Sequence, residues 1–370
     1  MKFTCEKYLL SMAVSTAGRA AASKSPVPAL EGLLLEAGES GVRVTGFDLK
    51  KGIYTGFAAD VSEPGSVVIS ARLFGEIVRK LPDGIVTVAS DEYNTVNVRC
   101  GNADYNVAGT PAEDYPELPA MDHGSRVVMP QDTLASMISQ TRFAISTTES
   151  RPVYTGALLE VEKGMMTMVA VDGYRLALRR EETVSCDVDL VRFIVPGTAL
   201  GDVEKICQSE GDNVTITVGS KHVCFSVGET VLITRWLEGE FLNYRKTVPF
   251  EFPIQLKAKK ADMIRCADRV SLIIDDRTKN PLRCTFGDGR LSIACATPLG
   301  RAEDSCELEG NGGDMVIGFN NSYLMDALKA APEEELIVNL ISGASPCVLT
   351  PEDGSEKFLY MILPVRLRAE

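Results

Sequence analysis

The 370-residue sequence predicts an α+β protein of three similar domains, each with two helices packed on antiparallel sheets. Three observations predict it. The chain is longer than one ordinary hydrophobic core occupies, so two or three domains are expected. A block of short apolar strand, amphipathic helix, turn and alternating strand occurs three times. Aligning Ile69, Val195 and Phe319 sets its copies 126 and 124 residues apart, a period the size of a domain and too long for a solenoid.

The three blocks are "VVISARLFGEIVRKLPDGIVTVAS", "RFIVPGTALGDVEKICQSEGDNVTITV" and "VIGFNNSYLMDALKAAPEEELIVNLI". Pro196 and Asn320 stand where a first-turn proline or a cap belongs. An earlier helix is offered in each third by "CEKYLLSMAVSTAGRA", "PQDTLASMISQTRFAI" and "KAKKADMIRCADRVSLI", with helical spacing as in Leu134, Met137, Ile138 and Thr141. Strand pairs follow: "ALEGLLLEA" with "VRVTGFDL", "YTGALLEVE" with "MTMVAVDGYRLAL", and the two halves of "PLRCTFGDGRLSIACA". Each third closes on an extended segment: "DYNVAGTPAEDYP", "ETVLITRWLEGEF" and "EKFLYMILPV". Linkers are expected near 119–129 and 247–256, giving domains at 1–126, 127–250 and 251–370.

Composition excludes several classes. Hydrophobic residues make up 45%, enough for sizeable cores. No run of about 18 uncharged apolar residues occurs, and "MKFTCEKYLL" is too short an apolar stretch for a signal peptide, so a soluble, cytoplasmic protein is expected. The ten cysteines are scattered without a Cys-x-x-Cys pair, and His123 and His222 are the only histidines. Reduced, buried thiols are therefore expected, with no metal and no cofactor. Phosphate-loop, dinucleotide, zinc-protease and nucleophile-elbow motifs are missing from the sequence. "GNGG" at Gly310–Gly313 reads as a loop, Asp275–Asp276 and Glu333–Glu335 as solvated charge, and Trp236 as packing. An enzyme is disfavoured. A net charge of −13 argues against a surface that grips nucleic acid everywhere, but not against basic residues gathered on one face.

"VDGYRLAL", Val171–Leu178, sets Asp-Gly between two strand-like runs and by itself reads as a hairpin turn. Its company gives it more meaning. Together with "MKFT", "VPALEGLLLE", "SRPVYTGALLEVE", "EGEFLNYRKTVP" and "YMILPVRL", it resembles the bacterial sliding-clamp family, the β subunit of DNA polymerase III, across essentially the whole chain.

The resemblance implies clamp-type domains in a head-to-tail homodimeric ring that encircles duplex DNA without reading sequence, and no catalytic residues. Implied partners are the polymerase III alpha subunit, the clamp loader and other clamp-motif replication and repair proteins. The implied peptide pocket comprises Tyr154, Val171, Gly173, Tyr174, Arg175, Leu176, Leu242, Lys246, Thr247, Pro346, Met361, Leu363, Pro364, Val365 and Arg366. Tyr174 and Arg175 are expected at its surface, with Leu176 on an apolar wall beside Met361, Leu363 and Val365. Leu242 and Lys246 depart from the frequent Pro and Arg, and "RAE" follows Leu367. Residues expected to face DNA are Lys24, Arg72, Arg79, Lys80, Arg142, Arg151, Lys257, Lys259, Lys260 and Arg265, several of them on the first helix of the last domain. The dimer contact is expected at Tyr105 and Val107 against Leu272 and Ile273. The competing reading is a scaffold of the same fold that binds peptides but not DNA.

Overall fold

The computed structural model describes residues 1–121, 123–249, 251–275 and 280–367. Asp276, the boundary residue Phe250 and the final Arg368, Ala369 and Glu370 lie outside the described residues. The first third contains β1 (Lys2–Glu6), α1 (Lys7–Ala17), β2 (Gly32–Gly38), β3 (Gly41–Phe47), β4 (Lys51–Phe57), β5 (Asp60–Glu63), β6 (Gly65–Ser70), α2 (Ala71–Lys80), β7 (Ile85–Ser90), β8 (Thr95–Cys100) and β9 (Ala103–Thr110). The second contains β10 (Ser125–Pro130), α3 (Gln131–Thr141), β11 (Gly156–Glu162), β12 (Met165–Val171), β13 (Arg175–Glu182), β14 (Ser185–Cys186), β15 (Leu190–Pro196), α4 (Gly197–Ile206), β16 (Asn213–Val218), β17 (His222–Val227), β18 (Thr230–Arg235) and the one-turn α5 (Tyr244–Thr247). The last contains β19 (Ile254–Lys259), α6 (Lys260–Ser271), β20 (Leu282–Thr297), β21 (Gly300–Phe319), α7 (Asn321–Ala330), β22 (Glu335–Leu340), β23 (Cys347–Pro351) and β24 (Phe358–Ile362).

The helices form where the periodicity places them. On α2, Phe74, Ile77 and Val78 are buried while Arg72, Glu76, Arg79 and Lys80 are exposed. Ser70 caps it, accepting from the Leu73 amide at 3.5 Å, and Asn320 caps α7, accepting from Ser322 at 2.9 Å and Tyr323 at 3.4 Å. Such caps satisfy amides that have no partner inside the helix.

Two compact units emerge, and the middle third contributes to both. One comprises Met1–Asp132, Val184–Val188 and Asp202–Trp236. Its fourteen strands run β14-β10-β16-β17-β18-β4-β3-β2-β6-β9-β8-β7-β1-β5. Strands from the first and second thirds meet antiparallel at β4 and β18, with Thr55 opposite Thr230 and Lys51 opposite Thr234. Phe3, Leu10, Leu35, Val44, Ile69, Phe74 and Val88 fill the core beneath α1 and α2.

The other unit comprises Thr133–Thr183, Asp189–Gly201 and Leu237–Glu370. Its ten strands run β15-β11-β12-β13-β24-β23-β22-β19-β21-β20. Here the second and last thirds meet antiparallel at β13 and β24, from Arg175 opposite Ile362 to Arg179 opposite Phe358.

Three expectations are corrected. The run 282–297 is one long strand, not a hairpin at "GDG": its pairing with β21 slips at Phe286/Asp288 and Asp288/Arg290, where the extra residues of β21 bulge and the strand continues. Gly310–Gly313 lies within β21, and the positive φ of Gly310 and Gly313 supplies the bend there, so it is not a loop. Lys257 and Lys259 sit on β19 rather than on a helix. Buried Leu256 and Ala258 alternate with them, which is the two-residue period of a strand.

The thiols behave as small hydrophobes. Burial pushes Cys5, Cys207 and Cys347 up to about 12, which keeps them protonated. No described helix is long and apolar enough to cross a membrane.

Candidate peptide-binding site

The turn between β12 and β13 is built by one carboxylate. Asp172 Oδ1 accepts from the amides of Tyr174 at 2.9 Å and Arg175 at 3.0 Å. Gly173 between them has φ 95°, where a side chain would be strained. The turn therefore holds Tyr174 outward, 61% exposed.

Arg175 behaves differently from the expectation. Its side chain is only 11% exposed and bonds Asp172 at 2.9 Å and Asp326 of α7 at 2.6 Å. Its guanidinium lies 4.5 Å from the Tyr323 ring centre and 5.3 Å from that of Phe143. Rather than resting at the rim, it braces β13 against α7. The reason is local: two carboxylates and two ring faces offer more than solvent offers a single guanidinium.

Beside this turn, Val171, Leu176 and Met361 join Leu158, Val169, Leu178, Ile194, Tyr244 and Val348 in a buried apolar cluster. Tyr154 and Leu242 pack against it half-buried, so five of the expected pocket residues share one wall. Leu363 donates its amide to the Tyr174 carbonyl at 2.9 Å, and Val365 donates to Gly318 at 2.8 Å. That anchors the segment 363–366 beside the turn: Leu363 and Pro364 are half-buried, Val365 and Arg366 exposed. Pro346 directly precedes Cys347, which pairs with Ile362.

Lys246 and Thr247 lie exposed on α5, whose placement depends on a buried carboxylate. Glu160, 2% exposed on β11, accepts from Tyr244 at 3.0 Å and pairs with Arg245 and Arg192. Burial works to raise the Glu160 carboxyl, but hydrogen bonds from Arg245 and Tyr244 and the two arginine charges outweigh it and hold it below the ordinary glutamate range.

Sequence reasoning missed Tyr323, whose ring stacks on Tyr174 at 5.9 Å, and also Asp326, Phe143 and Glu160. The one available signal was the cap: Tyr323 and Asp326 stand three and six residues after Asn320, on one helix face.

The residues expected to face DNA are not one basic surface. Lys24, Arg72, Arg79, Lys80, Arg142, Arg151 and Lys259 are exposed. Arg72 lies 3.8 Å from Glu76, and Arg151 is over the Tyr154 ring at 5.7 Å. Lys257 is held between Glu352 at 2.6 Å and Glu335 at 2.9 Å, and those bonds raise its affinity for its proton. Lys260 donates to the Ala331 carbonyl at 2.9 Å, and Arg265 pairs with Asp262. At the expected dimer contact, Tyr105 is partly exposed on β9, Val107 half-buried and Leu272 81% exposed just past α6, with Ile273 half-buried.

Three copies of one α+β domain, successive copies joined by strand pairing and carrying an apolar wall beside a rigid turn, define a repeat protein of clamp architecture. Residues 1–119, 128–243 and 245–366 match the N-terminal, central and C-terminal domains of the DNA polymerase III beta subunit. The beta sliding clamp of Staphylococcus aureus is 30% identical over 378 residues, 99% of each chain. That of Synechocystis is 32% identical over 392 residues, 99% of this chain and 100% of its own. The crystal structure of the DNA polymerase sliding clamp from Bacillus subtilis matches with a TM-score of 0.94 at 28% identity, covering 100% of both chains. The chain belongs to the DNA polymerase III beta subunit family, the bacterial sliding clamps.

Proposed function

We propose that two copies of this chain close head to tail around duplex DNA, slide on it without reading sequence, and tether the replicative polymerase through the cleft beside Tyr174. One observation carries the ring. The last strand of the second third, β18, pairs with β4 of the first, and β24 of the last third pairs with β13 of the second. The equivalent strands still open are β9, whose residues 103–108 pair on one edge only, with β8, and residues 300–307 of β21, which pair only with β20. A second copy supplies the missing partner for each, and a heterologous contact that closes leaves no free edge.

The peptide reading rests on the wall formed by Val171, Leu176, Met361, Tyr154 and Leu242, with Leu363 alongside. A Leu or Phe side chain buried there contributes about 1.5–3 kcal/mol. The occupants are peptides of the polymerase III alpha subunit, the clamp loader and other clamp-motif replication and repair proteins. The protein acts in the cytoplasm as a non-catalytic processivity factor, and its domains divide at 1–126, 127–250 and 251–370. Sedimentation equilibrium tests the ring: the expected mass is twice the 40.0 kDa chain. A monomer at micromolar concentration contradicts it.

A further inference from the structure

The threefold repeat extends to single side chains at the junctions, of which two lie inside the chain and a third rests on the head-to-tail dimer proposed for it. Each second helix starts from an equivalent position, Ser70, Pro196 or Asn320. Three residues on stand Leu73, Ala199 and Tyr323; six on stand Glu76, Asp202 and Asp326. The turns align as well. Asp48, Asp172 and Thr297 each accept from the amide two residues later: Lys50 at 2.9 Å, Tyr174 at 2.9 Å and Leu299 at 3.1 Å. The next position holds Lys51, Arg175 and Gly300.

At both junctions inside the chain these positions meet. Lys51 pairs with Asp202, and Arg175 with Asp326 at 2.6 Å. Tyr174 stacks on Tyr323. The joining strand donates in the same way: Arg235 to the Lys50 carbonyl at 3.2 Å, Leu363 to that of Tyr174 at 2.9 Å. Carried to the third junction, Leu299 takes the place of Tyr174 and Leu73 of the other copy takes the place of Tyr323. Both are available, Leu299 being 78% and Leu73 40% exposed. Gly300 offers Glu76 no cation, so the ion pair of the internal junctions has no counterpart.

We infer that Leu299 of one copy packs on Leu73 of the other, so that the junction between copies is apolar where the two junctions within each chain are ionic. A charge-reversal cycle on the full chain tests it. Leu73→Lys and Leu299→Glu each place a lone charge against a leucine and are expected to raise the dimer dissociation constant by about tenfold or more. Both side chains are exposed in the single chain, so melting of the monomer should not change. The double variant creates a Lys–Glu pair and should return the constant to within about threefold of the original. A wild-type dimer indifferent to both single changes overturns the contact alone, as does a double variant no tighter than its weaker parent. A monomeric wild type overturns the contact together with the head-to-tail reading.

Discussion

Arg175 is the residue on which the candidate site depends for its shape. Replacing it with Ala leaves Asp172 and Asp326 without their shared cation and opens a gap between Phe143 and Tyr323. Arg175→Ala should cost about 1–3 kcal/mol, discounted for the partial exposure of Asp326, and lower the melting temperature together with peptide affinity. Leu363→Ala separates the two effects. Half-buried at the cleft, it should weaken a clamp-motif peptide by roughly tenfold while melting changes little. Equal melting losses in both variants would make the cleft a purely structural feature. Glu160→Gln keeps an acceptor for Tyr244 but removes the charge between Arg245 and Arg192, and should cost about 1–3 kcal/mol. The sign of its pH dependence is set by its lowered folded-state value. The contribution of Glu160 is complete above the ordinary glutamate range and is lost as pH falls through the lower folded value. Acid melting curves of wild type and Glu160→Gln should therefore converge at low pH, and a constant gap would contradict the assignment. The turn itself was legible, because Asp-Gly between apolar runs leaves the backbone little choice. The brace was not, since Asp326 lies 151 residues from Arg175 and one more acid in so acidic a chain reads as solvated.

At the scale of elements, the repeat was readable because each second helix combines a capping position with an amphipathic face, and neither depends on distant contacts. β19 was misread because its alternation spans so few residues that the lysines of "KAKK" ran on into the helical spacing of α6. β20 was misread because Gly289, at φ 67°, carries a turn-like conformation within a ladder that continues past the bulges of β21. The open edges make an element-level prediction. Leu272 and Ile273, just past α6, are apolar and accessible, and the head-to-tail dimer proposed above would set them against Tyr105 and Val107 of β9 in the other copy. Leu272→Asp with Ile273→Asp should yield folded monomers with near-wild-type melting, measured by sedimentation and circular dichroism. A dimer that survives both charges would put the interface elsewhere.

Over the whole molecule, charge decides how DNA can be held. The net charge of −13 opposes a general grip on phosphate, and Lys257, Lys260 and Arg265 are partly neutralised by bonds within the chain. Exposed Lys24, Arg79 and Lys80 make no ion pair with another described residue, so few cations remain to release counterions. Direct affinity should therefore be weak and fall with salt on a shallow slope, since that slope scales with the number of phosphates contacted, and Lys24→Ala should weaken it further without a change in melting. A closed ring needs no such affinity to stay on. The most direct test loads the protein onto nicked circular DNA with a clamp loader, raises the salt to about 0.5 M, where screening acts within a few ångströms, and then linearises half of the sample. Retention on circles with loss from the linear DNA is the predicted result. Equal loss from both forms would contradict the ring.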